Sequence, residues 1–429
     1  MKFVSLASSL ATLALALVVA SGSSSGASTS CFAYVANSAS DNVSVIHAAT
    51  STVTTITLPD GSGPNGVAIS ADGSTAYTAN TSSDSVSVIH AATGAVTANI
   101  ILPGGSAPIA VAITPNGATA YVTNIGSTTV SAIDTATNTF ITITVGDGPY
   151  GVAITPDGTA VYVANQNDNN VSVIDTATNS VAGTPIGVGN SPYGVAITPD
   201  GATAYVTNQN NNNVSVIHTA TNTVTATIGV GTSPQGVAIT PDGATVYVAN
   251  IDSDDVSVIN TATSTVTTIT LPDGSGPNGV AITPDGTTAY VTNANNGTVS
   301  VIQTATNTVT DTLTVGDSPT GVAVGCDPPA PANPEVSVEP FGNGRSFRVT
   351  GSGFPANATV DVKLGALTLG SATTDNSGHF SASFNNIDCS VDGGTLTASV
   401  GTTSASAAVA LTPCTPVPPS PEVIPRMTG

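Results

Sequence analysis

The chain has no tryptophan, two methionines and few charges: five basic and 26 acidic side chains among 429 residues, 7% of the whole. So little charge excludes a charged disordered polymer and a coiled coil, both of which are built largely from charged residues. The basic side chains are Lys2, Arg345, Arg348, Lys363 and Arg426, which leaves residues 31–327 with no Lys or Arg, 19 Asp and no Glu. A surface without cations cannot neutralise phosphates, so this region is excluded from binding nucleic acid or anionic membrane. The length excludes a small disulfide-held peptide, and the absence of CxxCH excludes covalent attachment of haem c. Only residues 3–20 approach the ~18 apolar residues of a transmembrane helix.

That one run follows Lys2 and precedes the small-residue stretch SGSSSGASTS. It reads as a secretory signal peptide, residues 1–27, with small residues suited to cleavage after Ala27 and a second candidate site at Ala20. A retained anchor is the competing reading, but no basic stop-transfer cluster follows. The mature chain is therefore expected to be secreted or cell-surface, with no transmembrane segment, in a compartment where its cysteines can pair.

What fills the chain is repetition. Tetrapeptides resembling YVTN end at Asn37, Asn80, Asn124, Asn165, Asn208, Asn250 and Asn293, at spacings of 43, 44, 41, 43, 42 and 43. One unit, residues 151–186, reads GVAIT, PDGTA, VYVAN, QNDNN, VSVID, TATNS, VAGTPI: four β-rich runs separated by Asp-Gly, Asn/Asp and Thr-Asn turn chemistry. Each unit is expected to be a four-stranded antiparallel meander. Its inner runs are apolar or small at successive positions, so the sheet must be covered on both faces. Seven such sheets meet that need by radial packing, which predicts an all-β fold with a seven-bladed β-propeller of four-stranded antiparallel blades at residues 31–327. A β-solenoid would use much shorter repeats.

The recurring PxGVAITPDGxxxYVxN…VSVIDTATNTV resembles the YVTN-type seven-bladed β-propeller family, largely surface-layer or secreted bacterial and archaeal proteins. The resemblance implies the fold more strongly than any activity, since propellers host many unrelated functions.

The first copy starts at its second strand, and the missing innermost strand appears at the far end as Gly321-Val322-Ala323-Val324. One blade is thus expected to combine both ends of the repeat region. Aligned with an intact copy, Cys326 and Cys31 fall at positions i and i+3 of the absent β-turn, within ~7 Å, close enough for a disulfide. Four cysteines allow three pairings; this alignment favours Cys31–Cys326, which leaves Cys389–Cys414 by elimination. After a Pro-rich linker at 328–334, residues 335–414 show seven short alternating runs and a phrase, GSGFPANATVDVKLG, that resembles bacterial immunoglobulin-like domains. A small immunoglobulin-like β-sandwich is expected there, followed by a disordered tail at 415–429.

Seven prolines, Pro64, Pro108, Pro149, Pro192, Pro234, Pro277 and Pro319, precede the innermost strands. The residue after each one varies in an otherwise uniform repeat: Asn65, Ile109, Tyr150, Tyr193, Gln235, Asn278 and Thr320. That variation marks the channel mouth as a candidate binding surface, with Tyr150 and Tyr193 as stacking groups. The neighbouring Asn/Asp-rich loops offer oxygen ligands of the kind that suits Ca²⁺, most densely at Asp252, Asp254 and Asp255, but lack EF-hand spacing, so turn chemistry is the preferred reading. His47, His90 and His218 occupy equivalent turns of separate copies and are not expected to meet. Propellers of the lactonase and quinoprotein kinds resemble this fold in outline and rely on His, Arg or metal groups converging on the channel. Without such groups, the sequence is read as a non-catalytic exported scaffold, with no cofactor or metal, that binds an extracellular protein or glycan at its loop face. A lactonase-like channel hydrolase and a carbohydrate-binding adhesin are the alternatives.

Overall fold

The structure, a computed structural model, describes residues 31–326, 335–341, 346–352, 359–364, 367–374, 380–384, 393–400 and 403–410. The expected signal segment 1–27, linker 328–334 and tail 415–429, together with Cys389, Cys414 and their expected bridge, lie outside the described residues. The described chain falls into two units, one ending at 326 and the other beginning at 335.

The first unit consists of seven antiparallel sheets, the blades of a propeller. Blades 2 to 7 open with the innermost strands Pro64–Ile69, Pro108–Ile113, Pro149–Ile154, Pro192–Ile197, Pro234–Ile239 and Pro277–Ile282 and run outward in sequence order. Their second strands, and the third strands of blades 2 to 6, such as Ala160–Asn165 and Asn170–Asp175 of blade 4, are buried over at least four consecutive residues. Alternate side chains of a strand point to opposite faces, so continuous burial requires a neighbour on each side. The core accordingly lies between blades. Tyr77, Ala79, Val86 and Val88 of blade 2, for example, pack with Val111, Ala120, Val122 and Ile133 of blade 3. Full burial of each Val or Ile contributes roughly 1.5–3 kcal/mol.

The Asn that ends every second strand is at most 1% exposed in all seven blades. In blade 4 the Asn165 Nδ2 donates to Asn170 Oδ1 at 2.7 Å and Ser172 Oγ at 2.8 Å, and the same pair of bonds recurs at the equivalent positions. An amide with two protons can tie the loop to the third strand, which a hydroxyl with one proton could not. Asn80 also opens the N-x-S sequence Asn80-Thr81-Ser82, and its amide is committed to Ser85 and Ser87.

Blade 4 departs from the expected meander. Its outer strand is split into Ser180–Val181 and Ile186–Gly187. Between them Gly183 takes φ +70°, and Pro185 has no N–H to give to the ladder.

At the opposite end from the Asn loops, the Pro-Asp-Gly turns are held by their aspartates. Asp157 accepts from Thr155 Oγ1 at 2.6 Å and from Thr159 N at 3.0 Å, and Asp200, Asp242 and Asp285 repeat the pattern. The threonine hydroxyls and the turn amides hold these four carboxyls below their usual pKa.

Blade 1 is composite. Its outer three strands, Cys31–Asn37, Asn42–His47 and Thr52–Thr57, come from the start of the ring, while its innermost strand, Pro319–Cys326, comes from the end. Cys31 is the cross-strand partner of Cys326, and the two are disulfide-bonded across 295 residues with Cα atoms 3.9 Å apart. The bridge sits where the other blades have the turn between first and second strands. Ala33, Val35 and Ile46 of this blade pack with Tyr290 and Val299 of blade 7, completing the core around the ring.

Among the described residues of the second unit, seven strands form a three-stranded and a four-stranded antiparallel sheet. Val349 and Phe380 from the first share one core with Val360, Val362, Leu364 and Ala398 from the second. The alternating burial of Thr359–Leu364 is that of a strand with one face on the core.

Two outcomes follow for the propeller. Cys31→Ser with Cys326→Ser is expected to lower stability by about 2–4 kcal/mol, at the lower part of the range for native disulfides because blade packing also closes the ring. Thermal unfolding followed by circular dichroism should show this, and an unchanged midpoint would mean that packing alone closes the ring. Because the folded pKa values of Asp157, Asp200, Asp242 and Asp285 are depressed, their contribution is present above the unfolded carboxylate value of about 3.9 and lost as pH falls through the folded values. The unfolding midpoint should therefore hold from neutrality to about pH 4 and fall below it.

Candidate functional site

The innermost strands do not pair regularly with their neighbours. In blades 2 and 4 to 7 the register shifts between the proline and the valine three residues later, and blade 3 shifts between Pro108 and Ala110. This bulge frees the residue after each proline from the ladder and re-aims it. A glycine follows that residue in six blades because the backbone of the next blade leaves no room for a side chain. A Cβ on Gly236 would meet Asn278 O at 2.5 Å, and one on Gly66 would meet Ile109 O at 2.6 Å.

The result is a cavity of about 160 Å³ to which all seven blades contribute, so it lies on the ring axis. Five of the seven sequence-predicted residues line it: Asn65, Ile109, Tyr150, Tyr193 and Asn278. Gln235 and Thr320 do not, and their expected place in the lining is corrected. Gln235 is 5% exposed and its Oε1 accepts from Asn278 Nδ2 at 2.8 Å. Thr320 Oγ1 turns to the carbonyls of Asn65, at 2.9 Å, and Ala36. Both brace the wall from behind.

Tyr150 and Tyr193, from adjacent blades, have ring centroids 3.8 Å apart and share a hydrogen bond between their hydroxyls. Burial raises the pKa of Tyr150, and burial together with its neighbour Tyr150 pushes Tyr193 well above the usual phenol value, partly offset by the hydrogen bond from Asn278. Both phenols are thus protonated through neutral pH. One proton of the pair is committed to the bond between them, which leaves one for a guest. The cavity can offer a guest an aromatic wall, a phenolic donor and the side-chain amide of Asn65, but no charge, for no carboxylate, imidazole or cation lines it.

Sequence reading did not find the hydroxyls that fix this wall. Thr207 Oγ1 donates to Gln235 O and Thr292 Oγ1 to Thr320 O, each at 2.6 Å, while Thr123 Oγ1 donates to Tyr150 O at 2.5 Å. The available signal was the alternation of YVTN with YVAN, which places a threonine in blades 3, 5 and 7.

The other candidate residues are dispersed. Asp254 accepts from Gly274 N and Gly276 N at 2.7 and 2.8 Å, Asp255 from Asn250 Nδ2 at 2.6 Å, and Asp252 from the Ser233 hydroxyl. Three carboxylates thus serve three different partners. His90 and His218 each bond a threonine in their own turn at 3.1 Å, and His47 packs edge-on against Phe32. A larger groove of about 570 Å³ lies between blades 4 and 5, lined by Asp157, Tyr162 and Asp200 among others. It recurs between blades 6 and 7 with Asp242, Tyr247 and Asp285, so it belongs to the repeat rather than to one site. No helix among the described residues is long and apolar enough to cross a membrane.

Residues 28–187 and 176–269, together more than half of the chain, match the family described as "Lactonase, 7-bladed beta-propeller". None of the curated proteins matches. Among solved structures, hydrazine synthase of Kuenenia stuttgartiensis is 27% identical with a TM-score of 0.57, covering 62% of this chain and 90% of that one. A protein of unknown function from Desulfotomaculum acetoxidans is 23% identical with a TM-score of 0.60, covering 68% and 98%. Virginiamycin B lyase of Staphylococcus aureus is 14% identical with a TM-score of 0.54, covering 76% and 97%, and at that identity it speaks for the fold alone. The lactonase-family match corrects the expectation of a non-enzymatic scaffold. That expectation rested on the absence of converging His, Arg or metal groups in the channel.

With no tryptophan and nine tyrosines, absorbance near 295 nm reads phenol ionisation directly. Raised folded pKa values mean stability that is complete below the unfolded phenol value of about 10 and lost as pH rises above it. Tyr193 should ionise last, and Tyr193→Phe should remove that final step; a titration with every phenol near 10 would contradict this environment.

Proposed function

Because the chain belongs to the seven-bladed β-propeller lactonase family, we propose that its axial cavity opens a small cyclic ester by hydrolysis. The observation that carries the reading is the coincidence of the family match with one cavity, on the axis, whose walls supply neutral hydrogen-bond donors beside an aromatic pair.

The ester carbonyl would accept from the free hydroxyl proton of the Tyr150–Tyr193 pair and from the Asn65 amide. Asn278, fixed by Gln235, would polarise Tyr193 by its hydrogen bond to the phenol. As water adds to the carbonyl carbon, negative charge grows on the carbonyl oxygen, where these donors hold it; the ring C–O bond then breaks, and the ring oxygen leaves as a hydroxyl on taking the proton that the added water gives up, leaving a carboxylic acid. Preorganised donors of this kind are worth about 10²–10³ in rate each. The cavity lining supplies no general base, so the attacking water would be activated only by this polarisation.

The finer features of the sequence join this reading as proposals. The segment 1–27 would export the chain, the propeller would be of the YVTN surface or secreted type, and the two-sheet unit after 335 would be an immunoglobulin-like module. Detection of the mature chain outside the cytoplasm by cell fractionation would support the export proposal.

The activity is tested by following ring opening of six-membered lactones with a pH-stat. The wild-type protein should exceed the spontaneous rate at the same pH, and Tyr150→Phe with Tyr193→Phe should lower kcat by about a hundredfold with KM little changed. A wild-type rate no greater than the spontaneous one across a panel of lactones would overturn the reading.

A further inference from the structure

The charge distribution around the cavity goes one step further and constrains the ligand itself. The five varied residues that line it are Asn65, Ile109, Tyr150, Tyr193 and Asn278, all uncharged, and the rest of the lining is glycine, alanine and valine. Around it, on the same end of the ring, the loops entering the innermost strands carry Asp60, Asp147, Asp273 and Asp317, and the loops between second and third strands carry Asp41, Asp84, Asp168 and Asp254. That these two loop sets share one end is shown by their bonding: Gly61 N and Gly63 N donate to Asp41, Gly274 N and Gly276 N to Asp254, and Asp147 N to Asp168. Residues 31–326 contain no Lys or Arg to offset these carboxylates. The propeller's three histidines, His47, His90 and His218, end the third strands of their blades, at the other end of the ring, and two of them bond threonines of the turn that follows.

We propose that the site selects uncharged ligands and rejects anionic ones: its ester is a small neutral ring, without phosphate, sulfate or carboxylate. This rests on the lactonase reading only for the ester; the charge selection stands on the cavity and its rim. An anion entering would lose its hydration without meeting a cation, and it would first approach a ring of like charges. A neutral polyhydroxylated ring loses only hydroxyl hydration, which the amides and phenols replace. The volume of about 160 Å³ also limits the guest to one ring.

The experiment uses two stable ring analogues, gluconolactam and its 6-phosphate, titrated calorimetrically into the full mature protein at low and high salt. The neutral lactam should bind at least about a hundredfold more tightly at low salt, with an affinity indifferent to ionic strength, and the gap should narrow as salt screens the rim. Asp60→Lys with Asp273→Lys, both exposed positions, should improve binding of the phosphorylated lactam and leave the neutral one unchanged. Equal or tighter binding of the phosphorylated lactam by the unaltered protein, or no binding of either, would overturn the proposal. Selective binding of the neutral lactam in a protein that opens no lactone would leave charge selection standing and bring down the hydrolase reading instead.

Discussion

The antiparallel pairing of Pro319–Cys326 with Cys31–Asn37 is the constraint from which the other features of the propeller descend. Six blades fold from contiguous sequence, but the seventh exists only when strands about three hundred residues apart meet. Such a contact bears the full entropy of closing a long loop before it returns any packing energy. The Cys31–Cys326 bond and the blade 7 to blade 1 core offset that cost at the same place. With closure, seven innermost strands face one axis; without it there would be an open arc with two exposed sheet faces and no axial cavity.

The cavity is a consequence of how tightly those strands approach. Each glycine beside the axis lets the carbonyl of the next blade come within contact distance, and in blades 2, 3, 4, 5 and 7 the bulge turns a variable side chain toward the centre. The uniform part of the repeat therefore builds the wall, and the variable part writes its chemistry. In this chain the variable set is aromatic on blades 4 and 5 and amide on blades 2, 6 and 7. Rigid sheets behind them, and threonine hydroxyls bonded across blade boundaries, hold phenols and amides in fixed geometry, the condition under which neutral donors can stabilise developing charge.

Electrostatics separates the two ends of the ring. The Pro-Asp-Gly turns at one end consume their carboxylates in local hydrogen bonds, whereas at the other end carboxylates ring an uncharged cavity. Several of them also clamp the loops there, as Asp41 does with Gly61 and Gly63. The same aspartates thus fix the shape of the rim and set its sign.

Much of this was legible in the residues before any coordinates. Spacing near 43 residues, turn dipeptides and doubly apolar runs specified seven four-stranded sheets, because burial periodicity and turn stereochemistry are local properties written within each unit. The composite blade 1 and its bridge were also local in origin: the first copy lacks one strand, and two cysteines take the place of a turn. The sequence likewise identified five residues that line the axis, since variation within a uniform repeat singles out positions under a different constraint. It could not tell that Gln235 and Thr320 turn away or that Tyr150 bonds Tyr193. Those facts depend on which side chains from different blades end up within 3 Å of one another, a matter of inter-blade rotation and bulge geometry that no single repeat contains. Composition alone decided that the ring carries no Lys or Arg; only the closed tertiary structure decided that this absence surrounds a cavity, because a centre shared by seven blades exists nowhere along the chain.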